Sequence, residues 1–368
     1  MGLLRPGQTL RNGELEIIDC IGVGGFGEVY RATWRRKDGH RIVAVKCFNI
    51  EQMSQQDVKA VKLVHQECLL IGSVNNPATV QIYGADVEGG LPYLLEEYLE
   101  GRDLSYALNA RKPTQKEGQP LYAPLELVQL GMQILKALEA VHARGIYHGD
   151  IKPSNICFRD QAQSEIALVD FGHGGFYEAS ILDRQELAST LAYLPPERTG
   201  FVKQGGNASS DLYSLGVTLY ELCTAMPLFE AKNEREFINF ILHDVPKPLA
   251  SVFPGFPEPL SDIIQKLLRK NPEERYHSAI GVYADFERCY WPLKQNEALR
   301  SFALGTKDKL RELNYKIPMV GRHEETRTLA AALEQTLKGK GRSLFIGAPS
   351  GSGKSRLAYE LMHRARMQ

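Results

Sequence analysis

The sequence predicts an α+β chain of two lobes, a small sheet-rich lobe followed by a larger helical one, with a short α/β segment after them. Three observations carry this. Residues 15–50 alternate apolar and polar positions around turn glycines; from residue 125 onward the apolar spacing becomes helical; and near residue 345 an apolar run leads into a second glycine-rich loop. The 368 residues allow roughly two or three domains at about 150 residues each.

Element by element, LEIIDCIGVGGFGEVYRATW and HRIVAVKCFNI suit a twisted antiparallel hairpin, because period-two alternation buries one face of a strand. From Gln55 to Ser73 the spacing of Val58, Val61, Val64 and Leu69 predicts an amphipathic helix. QIYGADVEGG and LPYLLEEYL read as two more strands, closing a first lobe over residues 15–99 behind an N-terminal arm, 1–14. In the second lobe, 100–291, LELVQLGMQILKALEAVHARG, SSDLYSLGVTLYELCTA and PLSDIIQKLLRK have helical periodicity, and the polar, proline-bearing stretch 111–124 reads as an exposed loop. Residues 292–317 are expected as a linker and 318–368 as the start of a further unit.

Charge excludes some partners. With 44 Lys+Arg against 44 Asp+Glu there is no global excess to bind nucleic acid or an anionic bilayer, and neither is an expected partner. No window approaches the ~18 apolar residues of a membrane span, and the first residues lack the apolar stretch of a secretory signal, so a cytoplasmic location is expected. Met1-Gly2 does not predict myristoylation, since Pro6 stands where Ser or Thr is wanted. Cys20, Cys47, Cys68, Cys157, Cys223 and Cys289 have no CxxC spacing and read as reduced thiols, not metal ligands.

Chemistry first appears at Gly22, Gly24 and Gly27 in IGVGGFGEV, where a backbone without Cβ atoms can close over a polyphosphate. Such glycines also open dinucleotide folds, but there a helix should follow, and here a strand containing Val29 does. The next strand, VAVK, puts Lys46 where an ammonium could reach phosphates, and Glu67 on the predicted helix could hold it. The decisive stretch is His148-Gly149-Asp150-Ile151-Lys152-Pro153-Ser154-Asn155, followed by Asp170-Phe171-Gly172. An acceptor hydroxyl needs a carboxylate near its proton, and a phosphate-bridging Mg2+ needs hard oxygen ligands; Asp150 suits the first need, Asn155 and Asp170 the second.

On these motifs, residues 15–291 resemble a eukaryotic-type protein kinase domain of the serine/threonine kind. The resemblance implies the bilobal kinase fold, ATP and Mg2+ as cofactors, and protein substrates with Ser or Thr. It implies that Gly22, Gly24, Gly25, Phe26 and Gly27 cover the ATP phosphates, that Lys46 pairs with Glu67, that Asp150 is the catalytic base with Lys152 near the γ-phosphate, and that Asn155 and Asp170 hold Mg2+. It also makes Glu97 to Leu99 the hinge for adenine, puts Val29, Ala44 and Cys157 around the base, and brings Asp103 toward the ribose. Thr190 resembles the activation-segment threonine that contacts the catalytic Asp and Lys; Asp211 and Arg275, the latter paired with Glu197, resemble residues with structural roles.

Three departures stand out. Gly149 replaces the arginine that normally precedes the catalytic aspartate, so activation by loop phosphorylation is not expected. Glu96 falls at the gatekeeper position behind adenine, where a carboxylate must be solvated, paired or protonated. His173-Gly174-Gly175 makes the start of the activation segment glycine-rich.

At the end of the chain, Ser343-Leu344-Phe345-Ile346 reads as a strand, Gly347 to Ser355 as a phosphate loop with Gly351, Gly353, Lys354 and Ser355 as its contacts, and RLAYELMHRAR as a helix. This resembles the opening of the STAND and AAA-like P-loop NTPases found fused behind bacterial Ser/Thr kinases. Only fourteen residues follow Lys354, so a complete NTPase is not expected within these residues. The leading expectation is an Mg-ATP-dependent Ser/Thr protein kinase of a bacterial signalling or regulatory protein. Its rival is a pseudokinase or nucleotide-gated scaffold that regulates the attached NTPase.

Overall fold

The computed structural model describes residues 2–24, 27–49, 72, 76–171, 191–199, 207–229, 231, 233–308, 323–337 and 345–347. The chain divides into two compact units, Met1–Arg311 and Glu312–Gln368. In the first, six strands form one antiparallel sheet: β1 (Thr9–Leu10), β2 (Leu15–Gly24), β3 (Gly27–Arg36), β4 (Gly39–Phe48), β5 (Ile82–Glu88) and β6 (Leu91–Glu97), in the order β1-β2-β3-β4-β6-β5. The alternation read from the sequence divides the faces of β4. Val43, Val45 and Cys47 join a buried cluster with Leu15, Ile17, Tyr30, Tyr93 and Leu95, while Ala44, Lys46 and Phe48 take the other side.

The N-terminal stretch expected as an arm is part of this lobe. Leu4 and Leu10 are buried in the same cluster, and β1 pairs with β2 through Thr9↔Glu16 and Leu10↔Leu15. The physical reason is the apolar outer face of β2–β4, which residues 3, 4 and 10 help cover. Gly27 shows why glycine is needed where β3 begins: with φ +149°, a Cβ there would stand 1.9 Å from the Cys47 carbonyl oxygen.

The helical lobe contains α1 (Leu104–Arg111), α2 (Pro124–His142), α3 (Ala208–Thr224), α4 (Glu234–His243), α5 (Leu249–Val252), α6 (Glu258–Leu267) and α7 (Ala279–Lys294), with a short antiparallel pair, β7 (Ile156–Phe158) and β8 (Ile166–Leu168). α2 starts with Pro124 at its first turn and Glu126 folded back to the Ala123 N–H, 3.0 Å, and buries Leu127, Leu130, Ile134, Leu138 and Val141. α3 is capped by Asn207, whose Oδ1 accepts from Ser209 and Ser210, and every residue from Ser209 to Cys223 is buried.

Of the residues expected as linker, 292–317, the described ones, 292–308, continue the lobe. α7 runs to Lys294, the partly buried Leu299, Phe302 and Leu304 pack on the core, and Asp308 accepts from the His277 and Ser278 N–H groups at the start of α7. Cys47, Cys223 and Cys289 are buried free thiols and Cys20 is exposed. No helix among the described residues is long and apolar enough to cross a membrane.

In the second unit the described residues include α8 (His323–Leu337). The strand expected at 343–346 is not found where it is described: Phe345 and Ile346 are in no strand, and Phe345 is 97% exposed. A strand needs a neighbour to satisfy its backbone, and none pairs with these residues among those described. Apart from Gly72, which lies in a turn, the expected helix Gln55–Ser73 lies outside the described residues, as do the phosphate-loop residues Gly351, Gly353, Lys354 and Ser355.

Candidate active site

Sheet register builds one wall of the site. Val29 faces Lys46 and Arg31 faces Ala44 across β3–β4, while Lys46 faces Leu94 and Ala44 faces Glu96 across β4–β6. Directly paired residues, and residues two apart, share a face, so Val29, Ala44, Lys46 and Glu96 line the same side of the sheet. Gly22 and Gly24 end the strand beside them, paired with Val29 and Gly27.

The opposing wall is the loop 148–155 and the residues after β8. The Asp150 carboxylate Oδ2 accepts from Lys152 Nζ at 2.9 Å and from Asn155 Nδ2 at 2.9 Å, and the same amide nitrogen donates to the Asp150 carbonyl at 2.8 Å. With both amide protons of Asn155 committed, its carbonyl oxygen is the group left to accept or ligate. The Val169 N–H donates to the Asn155 carbonyl at 3.0 Å, which ties the stretch carrying Asp170 to the loop carrying Asp150. Asp170, with φ +62°, forms an ion pair with Lys46 across the cleft.

Asp211, buried on α3, supports the loop from behind. It accepts from His142 Nε2 at 2.7 Å and from the His148 and Gly149 N–H groups at 2.9 and 2.7 Å. Burial alone would raise its carboxyl; the bonds and charge of His142, with His148 and the Gly149 N–H, outweigh that and hold it below the usual range. Burial pushes the His148 imidazole down despite nearby carboxylates, and its Nε2 meets the Val169 carbonyl at 2.9 Å. Arg275 and Glu197 form a buried pair with both bonds at 2.8 Å. Burial of Glu197 opposes ionisation, and the Arg275 bonds and charge overcome it.

Glu96 is the unusual group. Burial raises its carboxyl to about 7, against the pull of Lys46 and with a push from Asp170. Cys157 on β7 is raised to about 12, first by burial and then by the charges of Asp103, Asp170 and Glu96. Asp103 caps α1 by accepting the Tyr106 N–H at 2.9 Å and bridges in backbone to Cys157. The Glu97 side chain is held by Arg159 Nη1 at 2.6 Å.

The structure therefore brings Gly22, Gly24, Gly27, Val29, Ala44, Lys46, Glu96, Asp150, Lys152, Asn155, Cys157 and Asp170 to one interlobe cleft. Gly25, Phe26, Glu67, Thr190 and His173-Gly174-Gly175 lie outside the described residues. Three contributors were not singled out in the sequence: His142 beneath Asp211, Arg159 behind the hinge, and Arg198, whose Nη1 donates to the Gly149 carbonyl at 2.6 Å. His142 was findable, one turn before the loop at a helix end. Arg159 and Arg198 act across 62 and 49 residues, with no local pattern to mark them.

A six-stranded sheet over a helical lobe, with a lysine on the sheet facing an Asp/Lys/Asn loop and a second aspartate, defines a nucleotide-cleft phosphotransferase fold. The sequence matches the protein kinase domain family over residues 15–283, and the chain belongs to that family. It is 29% identical over 284 residues to a probable serine/threonine-protein kinase of Clostridium perfringens, covering 77% of this chain and 39% of that one. It is 29% identical to PknB of Mycobacterium tuberculosis over 75% of this chain and 42% of PknB, and 32% identical to PknL of Mycobacterium bovis over 73% and 63%. The chain thus spans between 39% and 63% of the length of these relatives. In fold it is similar to a crystal structure of the Mycobacterium tuberculosis PknI kinase domain, with TM-score 0.58 and 19% identity, covering 77% of this chain and 98% of that one.

Proposed function

We propose that this chain is an Mg-ATP-dependent protein kinase that transfers the γ-phosphoryl group to Ser or Thr hydroxyls of protein substrates in a bacterial signalling or regulatory protein. The observation that carries it is the Asp150 carboxylate held between Lys152 and Asn155, opposite the Lys46–Asp170 pair. The Ser/Thr preference is supported by Lys152 and by the names of the relatives.

In this mechanism Asp150 accepts the proton of the attacking hydroxyl. The Lys152 ammonium, already on the Asp150 carboxylate, is placed to neutralise charge on the transferring phosphoryl oxygens. Lys46 holds the α and β phosphates, and the Val29–Ala44 wall and Cys157 enclose the adenine with the main chain of 97–99. The donor set fits Mg2+: an Asn155 carbonyl oxygen and the Asp170 carboxylate are hard ligands, and phosphate oxygens would complete the shell. When bound, that ion supplies positive charge along the phosphates. Lys46 bound to Asp170 keeps both charged groups partnered between turnovers.

We further propose that residues 347–355 are the phosphate loop of a STAND-like unit, supported by their glycine spacing and by helix α8 upstream. The test of the main reading is incubation with Mg2+, γ-labelled ATP and a generic basic protein, beside Asp150→Asn and Lys46→Met. Labelling is expected in the wild type and a fall of about 10²-fold or more in Asp150→Asn. Wild-type label no higher than the Asp150→Asn blank would leave a nucleotide-binding scaffold in its place.

A further inference from the structure

Gly149 stands next to the carboxylate just assigned as base, and its backbone is left-handed, φ +75°. Glycine is the loosest joint a chain offers, since no Cβ restrains it. The peptide plane linking Gly149 to Asp150 therefore needs outside support if the carboxylate is to keep one direction.

That support comes from two elements distant in sequence. From α3, Asp211 takes the Gly149 N–H at 2.7 Å and the His148 N–H at 2.9 Å. From the turn Pro196–Arg198, the Arg198 guanidinium donates to the Gly149 carbonyl at 2.6 Å. This carbonyl lies in the same peptide plane as the Asp150 N–H, whose own bond, to His148 Nδ1, is a long 3.3 Å. Asp211 thus fixes the plane before Gly149, and Arg198 fixes the plane after it.

Arg198 is also mounted rigidly. Pro195 and Pro196 restrict the backbone before it, and its neighbour Glu197 is locked to Arg275, the two side chains being 1% and 0% exposed. Ser210 Oγ adds a bond to Glu197 at 2.7 Å. A planar guanidinium on such a mount loses little freedom when it grips a carbonyl.

We propose that Arg198 is a positioning residue for phosphoryl transfer: by holding the Gly149 carbonyl it orients the peptide that carries Asp150, and so aims the carboxylate. Arg198 makes and breaks no bond itself. The proposal rests on the kinase reading, and it links the end of the segment 191–199 to the catalytic loop.

The experiment compares Arg198→Met, which removes the donor, with Arg198→Lys, which restores one of similar reach. Each is assayed for kcat and ATP KM, with hydrogen–deuterium exchange over residues 148–152 and a thermal midpoint. Arg198→Met is expected to lower kcat by about 10- to 100-fold with ATP KM within about threefold, and to speed exchange at 149–151 in a folded protein; Arg198→Lys should recover much of both. Unchanged kcat and exchange in Arg198→Met, or a Lys variant as impaired as the Met variant, overturns the proposal. If Arg198→Met does not fold, Arg198→Gln, polar but too short to reach, is read by the same criteria. Asp150→Asn runs alongside: an active Asp150→Asn defeats the kinase reading itself, whereas an inactive one beside a fully active Arg198→Met defeats only this inference.

Discussion

Glu96 places a carboxyl on the back wall of the cleft, diagonal to Lys46 across β4–β6 and raised by burial to about 7. An acid raised in the fold binds a proton that the unfolded chain has already released. Stability therefore falls as pH rises from its ordinary value, about 4.5, to about 7, and the penalty is complete above that. Between pH 5 and pH 8, the wild type should lose on the order of 2–3 kcal/mol relative to Glu96→Gln, read by denaturant unfolding at both pH values. Parallel curves would mean that Glu96 is ionised and paired throughout. The residues of the loop 148–155 were legible because the phosphoryl-transfer role proposed for them calls for these types close together: Asp150, Lys152 and Asn155 lie within six residues of sequence. Glu96 was legible in position but not in ionisation, since its surroundings come from three separate segments. Arg198 and Arg159 were not legible, because a lone arginine has no periodicity, and its partner is set only when the lobes fold.

At the scale of elements, the strands β2 to β6 and helices α2, α3 and α6 follow from alternation and helical spacing, which report burial directly. The two ends of the first unit did not. β1 is two residues long, and the stretch 297–308 has no regular structure, so neither repeats a pattern long enough to read, yet both are held by specific bonds. Asp308 is the clearest case. It accepts from the His277 N–H at 2.8 Å, the Ser278 N–H at 3.1 Å and Ser278 Oγ at 2.7 Å, supplementing the Ser278 cap of α7. Asp308→Ala should cost about 1–2 kcal/mol and lower the thermal midpoint by a few degrees. An unchanged midpoint would mean that the segment only lies against the lobe without stabilising it.

For the first unit as a whole, the two lobes are joined behind the hinge as well as through it. Arg159, just past β7, donates to the Pro77 carbonyl at 2.5 Å, the Thr79 carbonyl at 3.0 Å and the Glu97 carboxylate at 2.6 Å, so one guanidinium grips the sheet lobe at two places. Beside it the Val80 N–H donates to the Leu168 carbonyl at 2.9 Å. Arg159→Ala should lose about 1–3 kcal/mol of stability and weaken nucleotide binding several-fold, since the angle between the lobes sets the cleft. Calorimetric titration with ATP and a thermal melt would measure both. An equal affinity in the variant would show that the hinge strand alone sets the opening.

The thiols described above divide the first unit by chemical accessibility. Cys47, Cys157 and Cys289 are raised to about 12 and Cys223 beyond that, chiefly by burial, so at neutral pH they stay protonated and sluggish toward alkylating reagents. Cys20, on β2 and two residues before Gly22, is exposed to reagents. A maleimide fluorophore should accordingly attach there first among these five, placing a reporter dye at the rim of the glycine loop without any engineered anchor.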